Sequence, residues 1–187
     1  MAESHSQRDT CRSCGSSDLT QVLSLGDLPL SDGLLREAHL AREEPRHPLD
    51  VVFCAKCTLV QILKTVPPEE LFNADYPYFS SFSDALLEHP RHNVEARIGE
   101  RRLGPQSQVV ELASNDGYLL QYYVQHSIPV LGIDPCSGPA KAAEQRGVRT
   151  LCTFFTQELA DSLRAEGVQA DVVHANNVLA HVADTNG

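Results

Sequence analysis

Several features are scarce in this 187-residue sequence, and each scarcity argues against a class of protein. No apolar run approaches the roughly 20 residues that a membrane-spanning helix needs, so we expect no membrane partner. Lys and Arg number 15 against 25 Asp and Glu, and this acidic balance argues against a nucleic-acid binder, which needs a basic surface. The first ten residues, MAESHSQRDT, lack the apolar core of a signal peptide. These observations predict a soluble, cytoplasmic chain.

Four of the six cysteines are present as two pairs, Cys11-x-x-Cys14 and Cys54-x-x-Cys57. Two intervening residues let a tight turn aim both sulfurs at one point, and two such turns supply the four ligands of a tetrahedral structural zinc. A disulfide framework is disfavoured in a cytoplasmic chain, and a thioredoxin-type redox motif would not be expected twice. We therefore predict bound Zn²⁺. Cys136 and Cys152 lack this spacing, which favours buried or free thiols.

The pattern of apolar residues changes along the chain. Residues 21–35 alternate apolar stretches with turn signals, residues 36–50 indicate a surface loop, and residues 50–63 predict a strand, a zinc knuckle and a second strand. Residues 83–103 favour a helix, in which Pro90 marks a kink or a fresh start. From residue 108 onward strands and helices alternate, which is typical of a parallel sheet covered by helices.

These patterns predict an α/β protein with a small zinc-binding N-terminal domain followed by a partial Rossmann-like domain. We place the zinc-binding domain at residues 1–66, an aromatic and helical connecting segment at 67–104, and the partial Rossmann-like domain at 105–187. Because about seven strands are expected in such a sheet and at most four fit here, the C-terminal part of that domain is expected to be missing.

The first strand-to-helix turn of the predicted sheet, Glu111 to Gly117, lies where such sheets bind ligands. An acidic residue, Asp134, ends the second strand and is placed to accept hydrogen bonds from ribose hydroxyls. A dinucleotide site would carry several glycines in this turn, whereas here only Gly117 occurs and Asp116 adds a carboxylate. The sequence therefore disfavours NAD and favours a cationic cofactor without phosphate, such as S-adenosylmethionine (SAM). After a later strand, Asn176 and Asn177 place polar groups at the same edge.

The chain as a whole resembles the SAM-dependent C-methyltransferases that act on nucleotide-linked deoxysugars. The resemblance rests on both cysteine pairs and on four further segments: Tyr76-Pro-Tyr-Phe-Ser-Ser-Phe-Ser83, Glu111-Leu-Ala-Ser-Asn-Asp-Gly117, Gly132-Ile-Asp-Pro135 and Ala175-Asn-Asn-Val-Leu-Ala-His181. It implies a zinc-binding domain joined to a SAM-binding domain. The residues that it implies in the cofactor site, together with those of the turn and the asparagine pair, are Tyr76, Glu111, Ser114, Asn115, Asp116, Gly117, Asp134, Asn176 and Asn177.

The resemblance also implies a substrate, a thymidine-diphosphate (dTDP) 4-keto-deoxysugar that is methylated at C-3. A sugar carbon becomes nucleophilic only after a base removes a proton beside a carbonyl group, which gives an enolate. His181 is a candidate base or electrostatic partner, because histidine exchanges a proton readily near neutral pH. Tyr76 is implied beside the transferred methyl group. His174, within an apolar strand, is expected to be structural.

Two hypotheses of different class follow. In the first, the chain is the N-terminal part of such a methyltransferase and is inactive when isolated, since family members continue into a second α/β region. In the second, it is a non-enzymatic zinc- and SAM-binding module that needs a partner chain.

Overall fold

The computed structural model describes residues 8–185, which form two compact units. The first unit contains the chain up to Phe72 and again from Val182, and the second extends from Asn73 to His181. Within the described part of the chain, no helix has both the length and the apolar character needed to cross a membrane.

The first unit is built on a three-stranded antiparallel sheet of β1 (Leu19–Leu28), β2 (His47–Cys54) and β3 (Val60–Ile62), in the order β1-β2-β3. A short helix, α1 (Pro68–Leu71), follows the sheet. The loop predicted for residues 36–50 is too long, because β2 begins at His47. Pro48 is tolerated in this strand because the β1–β2 register shifts next to it, and proline in sheets is confined to strand starts and bulges.

This first unit has a very small apolar core. Among its described residues, the buried apolar side chains are Cys11, Val52 and Cys54. Many of its aliphatic side chains are exposed, for example Val22 at 57% and Val60 at 58%. A core of this size cannot offset the conformational entropy lost on folding, so the unit needs another source of stability.

The second unit contains a parallel sheet with helices between its strands, as the sequence predicted. Its elements are α2 (Asp84–Arg101), β4 (Val109–Leu112), α3 (Leu120–Gln125), β5 (Val130–Ile133), α4 (Ser137–Gln145), β6 (Thr150–Leu151), α5 (Gln157–Ala165) and β7 (Val172–His174). Helix α2 continues through Pro90, so the prediction of a fresh helix start at this proline is wrong.

The strands of the parallel sheet lie in the order β6-β5-β4-β7. The chain therefore progresses outward from β4 through β5 to β6 and then returns to place β7 on the other side of β4. In sheets of this kind, the crevice beyond the carboxyl ends of the strands where the order reverses is the usual ligand site. Glu111 and Asn176, on β4 and after β7 respectively, lie at this reversal.

Two apolar clusters cover the parallel sheet. Consecutive residues of β4 contribute to different clusters, as expected from the two-residue period of a strand: Val109 packs with α2, α3 and α4, and Val110 packs with α5. Val94, Leu120 and Tyr123 are each fully buried in the larger cluster. The second unit therefore has a core of its own. On the edge strand β7, Val173 remains 58% exposed.

Candidate zinc and cofactor sites

The four cysteines predicted as zinc ligands are brought together in the first unit. Their sulfur atoms all lie within 4.8 Å of one another, with Cys11 Sγ 3.5 Å from Cys57 Sγ and Cys14 Sγ 3.6 Å from Cys54 Sγ. A tetrahedron of sulfurs at about 2.3 Å from zinc has edges of about 3.8 Å, so the observed separations fit this metal. The donor set is complete with four thiolates, as in structural sites.

The two cysteine turns share one backbone design. The carbonyl of the first cysteine accepts a hydrogen bond from the residue after the second, at 2.9 Å from Gly15 and at 2.8 Å from Thr58. Both of these residues have a positive φ, 72° for Gly15 and 64° for Thr58. Glycine was expected at such a position, and Thr58 adopts it as a β-branched residue.

Hydrogen bonds, chiefly from the backbone N–H of Cys14, lower the pKa of the Cys11 thiol to about 6. Although a hydrogen bond from the backbone of Leu59 acts in the opposite direction, the pKa of Cys57 is raised to about 12 by burial and by hydrogen bonds with the other cysteines. Cys11 is therefore the readier of these two to form the thiolate that a metal binds.

The first turn is also tied to the sheet of its unit. The side-chain oxygen of the buried Gln61 accepts from both the backbone N–H and Nε of Arg12, at 3.0 and 3.2 Å. The same guanidinium donates to the carbonyl oxygens of Ile62 at 2.8 Å and of Val182 at 3.4 Å. This arginine joins the zinc turn to strand β3 and to the residues that follow the second unit, a role that the sequence pattern did not indicate.

In the second unit, the turn after β4 has an unusual backbone. Ala113, Asn115 and Gly117 have φ values of 51°, 48° and 74°, so left-handed conformations alternate along the turn. Two of these residues carry a Cβ atom, and such strain is found preferentially at ligand and active sites. Gly117 is required for packing as well, since an added Cβ would approach Val148 Cγ2 to 3.0 Å and Ala143 Cβ to 3.2 Å.

Asp134, the predicted ribose acceptor, lies directly beside this turn. Its two carboxylate oxygens accept hydrogen bonds from the backbone N–H groups of Asn115 and Cys136, each at 2.8 Å. The side chain is 4% exposed, and burial raises its pKa although both amides oppose that shift. The Cys136 thiol is a third donor, and because a carboxylate has about four acceptor sites, capacity for a further donor remains. The structure therefore fixes the orientation of this carboxylate without using up its capacity to accept.

Glu111 is a second buried acid at the same edge. It is 1% exposed, and burial raises its pKa well above the ordinary range, although a hydrogen bond from the Asn176 side chain acts in the opposite direction. Its Oε2 atom is buried without a hydrogen-bond partner among the described residues, as are the hydroxyl of Ser114 and the Oδ1 atom of Asp116. Buried polar atoms are rarely left unpaired, so three such atoms at one edge of the sheet indicate a place for a ligand. An ammonium or sulfonium group would suit this carboxylate.

Tyr118 is a neighbour of Glu111 that the sequence pattern did not single out. Burial raises the pKa of its phenol to about 12, with a further contribution from the negative charge of Glu111. The Asn176 side chain hydrogen-bonds to this phenol as well as to Glu111. The edge therefore combines an acid, a phenol and an amide, and the tyrosine could be found only from its fold position, one residue after Gly117.

One oxygen of Asp116 has a partner that the sequence did not indicate. The sequence favoured a cationic ligand for this carboxylate, whereas the structure pairs it with a cation of the protein, Arg146, whose Nη1 lies 3.0 Å from Asp116 Oδ2. Asp116 is fully buried and also accepts from the hydroxyl and the backbone N–H of Ser81. No ion pair to Glu111 or Asp134 is seen between residues 8 and 185. Those two acids, and not Asp116, are the ones whose charge a ligand could balance.

Four of the remaining predicted residues, Tyr76, Asn176, Asn177 and His181, lie at exposed or half-exposed positions. Tyr76 is half-buried near the start of the second unit, and Asn176 and Asn177 are exposed after β7, Asn177 with a φ of 54°. His181 is exposed at the end of a one-turn 3₁₀ helix, where its backbone N–H donates to Val178 O at 2.8 Å. His174 is buried, and its Nε2 lies 2.9 Å from Tyr123 Oη, which agrees with the expected structural role.

Comparisons with known proteins bear on both units. Residues 11–72 match the family described as "Putative zinc binding domain", and residues 110–187 match the family described as "Methyltransferase domain". The chain contains a methyltransferase domain. It is also 34% identical over 176 residues to the C-methyltransferase NovU of Streptomyces niveus. That alignment covers 94% of this chain and 42% of the relative, so the chain spans about two fifths of the length of the curated protein it matches.

These matches confirm the zinc-binding segment, the methyltransferase domain and the likeness to C-methyltransferases that were inferred from the sequence. A methyltransferase domain implies SAM as the methyl donor, and the four-cysteine cluster supports zinc in the first unit. The residues present fit both groups: four thiols at tetrahedral separations suit zinc, and a buried, unpartnered carboxylate oxygen suits a cationic cofactor.

Proposed function

We propose that this chain supplies the zinc-binding and SAM-binding parts of a C-methyltransferase that acts on C-3 of a dTDP-4-keto-deoxysugar. The similarity to a C-methyltransferase supports the reaction class. The observation that carries the proposal is the pair of buried acids, Glu111 and Asp134, at the reversal point of the parallel sheet. Neither acid has a cation of the protein as partner within residues 8–185, and SAM offers both a positive charge and ribose hydroxyls.

Each acid then has its own task in holding the cofactor. Asp134 accepts a ribose hydroxyl through the acceptor capacity that Asn115 and Cys136 leave available. Glu111 faces the cationic part of the molecule, where its unpartnered oxygen gains a charged donor. The unpartnered hydroxyl of Ser114 and the side chain of Asn176 complete the polar lining of this site.

The chemistry requires an activated sugar carbon. When bound, SAM supplies an electrophilic methyl group on its sulfonium centre. A base removes the proton from C-3 of the sugar, and the C-4 carbonyl takes up the electron pair as an enolate oxyanion. With SAM bound, the chemistry supplied there would be transfer of its methyl group to C-3, with the new carbon–carbon bond forming as the carbon–sulfur bond breaks. We assign His181 as a candidate for the proton acceptor or for stabilising the oxyanion, and Tyr76 as a residue beside the reacting carbon.

The zinc ion has a structural task in this proposal. Four cysteine thiolates fill the tetrahedral coordination sphere and leave no open position for a sugar or a water molecule. The metal therefore stabilises the first unit, whose apolar core is small, and takes no part in methyl transfer.

We further propose that the isolated 187-residue chain binds SAM without transferring its methyl group. In the alternative proposal, a non-enzymatic zinc- and SAM-binding module with a partner chain, the exposed edge strand β7 would be the place for added structure. Incubating the chain with SAM and a dTDP-4-keto-deoxysugar separates these from a complete enzyme. Methylated sugar in that mixture would contradict both.

Calorimetric titration of SAM into the chain tests the cofactor site. Replacing Asp134 with Ala removes a charged acceptor of ribose hydroxyls, so affinity should fall by about ten- to a hundredfold. Asp161→Ala, which removes an exposed carboxylate on α5 of the same unit, should leave the affinity unchanged. Equal affinity of wild type and Asp134→Ala would remove this residue from the site, and no binding by wild type would overturn the proposed function.

A further inference from the structure

The segment from Tyr78 to Ser81 is held against the turn after β4 by side-chain hydrogen bonds. Asn115 binds it twice, since its Oδ1 accepts from the backbone N–H of Ser80 at 2.8 Å and its Nδ2 donates to Tyr78 O at 3.1 Å. Asp116 Oδ2 accepts from both the backbone N–H and the hydroxyl of Ser81. Two consecutive residues of the turn therefore hydrogen-bond to four backbone and side-chain groups of a segment about 35 residues earlier in the sequence. We call this set of contacts, between Asn115 and Asp116 and residues 78–81, the clamp.

Arg146, the residue directly after α4, closes this clamp. Its Nη2 donates to Ser81 Oγ at 2.7 Å, and its Nη1 lies 3.0 Å from Asp116 Oδ2 and also donates to the backbone carbonyl of Asp116. The Ser81 hydroxyl can accept from the guanidinium while it donates to the carboxylate, so the three polar groups form one connected network. The guanidinium is the cation that balances a carboxylate with no exposed surface.

The clamp is connected to the proposed cofactor site through one residue. While the side chain of Asn115 binds Tyr78 and Ser80, its backbone N–H donates to Asp134 Oδ2 at 2.8 Å. A shift of the 78–81 segment must therefore either break the amide contacts of Asn115 or move the N–H that orients the ribose acceptor. In the same way, a ligand that holds Asp134 would stabilise the segment.

We propose that Arg146 is a positioning residue of the cofactor site, which holds Asp116 and Ser81 together and so fixes the 78–81 segment beside Asn115 and Asp134. This inference rests on the proposed function and adds to it Arg146, which no sequence motif marked as functional. Arg146 acts through other residues and needs no contact with SAM. This network also connects two segments that the sequence analysis singled out separately. The Asn-Asp-Gly turn and the Tyr-Phe-Ser-Ser run supply each other's hydrogen-bond partners.

Removing the guanidinium should loosen the segment and weaken the cofactor site together. In Arg146→Gln, Asp116 keeps its serine donors and loses its only ion pair within the described residues, at a fully buried position. A buried carboxylate without its cation is strongly disfavoured, so its other contacts open more often. We expect the amides of Ser80 and Ser81 to exchange hydrogen about tenfold faster, and SAM affinity to fall about tenfold.

The experiment compares amide hydrogen exchange and SAM calorimetry across a small set of variants. Arg146→Lys, which keeps the charge and one donor, should recover part of the affinity, with a loss of about threefold. Ser81→Ala breaks the same network from the other side and should also speed exchange at Ser80. Arg149→Gln, which removes an exposed arginine of the same unit, is the matched control. The Gly132 amide, bound to Arg149 O at 2.8 Å, reports whether the sheet stays folded.

Each outcome decides one of the two proposals. Faster exchange at Ser80 and Ser81 with weaker SAM binding and an unchanged Gly132 amide would support the positioning role. Wild-type affinity in both Arg146→Gln and Ser81→Ala would overturn it while leaving the proposed function intact. If wild type itself fails to bind SAM, the proposed function is overturned, and the positioning role with it.

Discussion

The two units of this chain differ in their source of stability and in how they use polar side chains. In the first unit, the four zinc ligands come from two short turns, and buried apolar material is limited to two of these cysteines and Val52 among the described residues. In the second unit, a large apolar cluster supports the sheet, and the acids at its edge are held buried without cations of their own. The first unit needs its metal in order to fold. The second unit is stabilised by its apolar core, and its buried acids are unfavourable until a cationic ligand binds.

The two units also differ in how ligand binding affects their folding stability. A structural metal contributes its binding free energy directly to folding, because the unfolded chain holds no preformed site. A buried acid with a raised pKa has the reverse effect, since it lowers the stability of the free protein and recovers that loss when a cation binds. Changes in the two sites should therefore have opposite consequences for stability, which the following predictions use.

The largest expected effect is the loss of a zinc ligand. Cys54→Ser replaces a fully buried sulfur of the cluster, so native mass spectrometry should show loss of the single zinc ion. Because little apolar core remains, amide exchange should show the strands of the first unit unfolded while the Gly132 amide of the second unit stays protected. Cys152→Ser, at an exposed cysteine outside the cluster, should retain zinc. Retention of one zinc ion by Cys54→Ser would contradict the four-cysteine site.

The contrast between units also explains what the sequence could predict. Spacing alone identified the zinc ligands, because both members of each pair lie within one turn, and alternation of strands and helices identified the parallel sheet. Partners of Asp116 could not be found in this way. Its cation, Arg146, lies 30 positions away and its serine 35 positions away, and only the packing of the folded unit brings them together. The local sequence therefore predicted a charged side chain at Asp116 but could not predict the arginine that balances this charge.

The start of β2 was missed for a related reason. Residues 47–50 contain a proline and follow a charged stretch, which indicates a loop when local composition is considered alone. Pairing with β1 and a shift of register beside Pro48 make the strand possible, and both depend on residues 19 or more positions earlier. Tertiary pairing overrides local propensity in strands more readily than in helices.

A smaller effect is expected at Glu111, and its sign distinguishes a ligand site from a structural acid. Since burial raises the pKa of Glu111, the folded protein retains its proton above the ordinary value of about 4.3. Stability of the free chain should therefore fall as pH rises through the raised pKa. SAM affinity should increase over the same window, because a cation favours the ionised acid. Glu111→Gln should weaken SAM binding by about tenfold or more and abolish most of its pH dependence.

The same variant should leave the free protein at neutral pH at least as stable as wild type, as measured by urea unfolding. Asp134, whose pKa is also raised by burial, would supply the pH dependence that remains. Glu144→Gln, at an exposed position on α4, is the matched control for loss of a carboxylate. Marked destabilisation by Glu111→Gln with unchanged SAM affinity would show that this acid serves the fold and not a ligand.

The smallest effect concerns the backbone that holds Ser114 in place. A Cβ atom at Gly132 would lie 2.5 Å from Ser114 Oγ and 3.0 Å from both Ser114 Cβ and Thr150 Oγ1, so Gly132→Ala must displace the side chain of Ser114 and with it strain the turn after β4. We expect the free energy of unfolding of the second unit to fall by about 1–3 kcal/mol, with weaker SAM binding as the turn moves. Gly99→Ala lies in α2 with no atom within 4 Å of the added Cβ and should instead stabilise the chain by about 0.5–1 kcal/mol. If both alanines raised stability alike, the close approach between β5 and the turn would not be a requirement of the fold, and the buried hydroxyl of Ser114 would have room to turn away from the cofactor site.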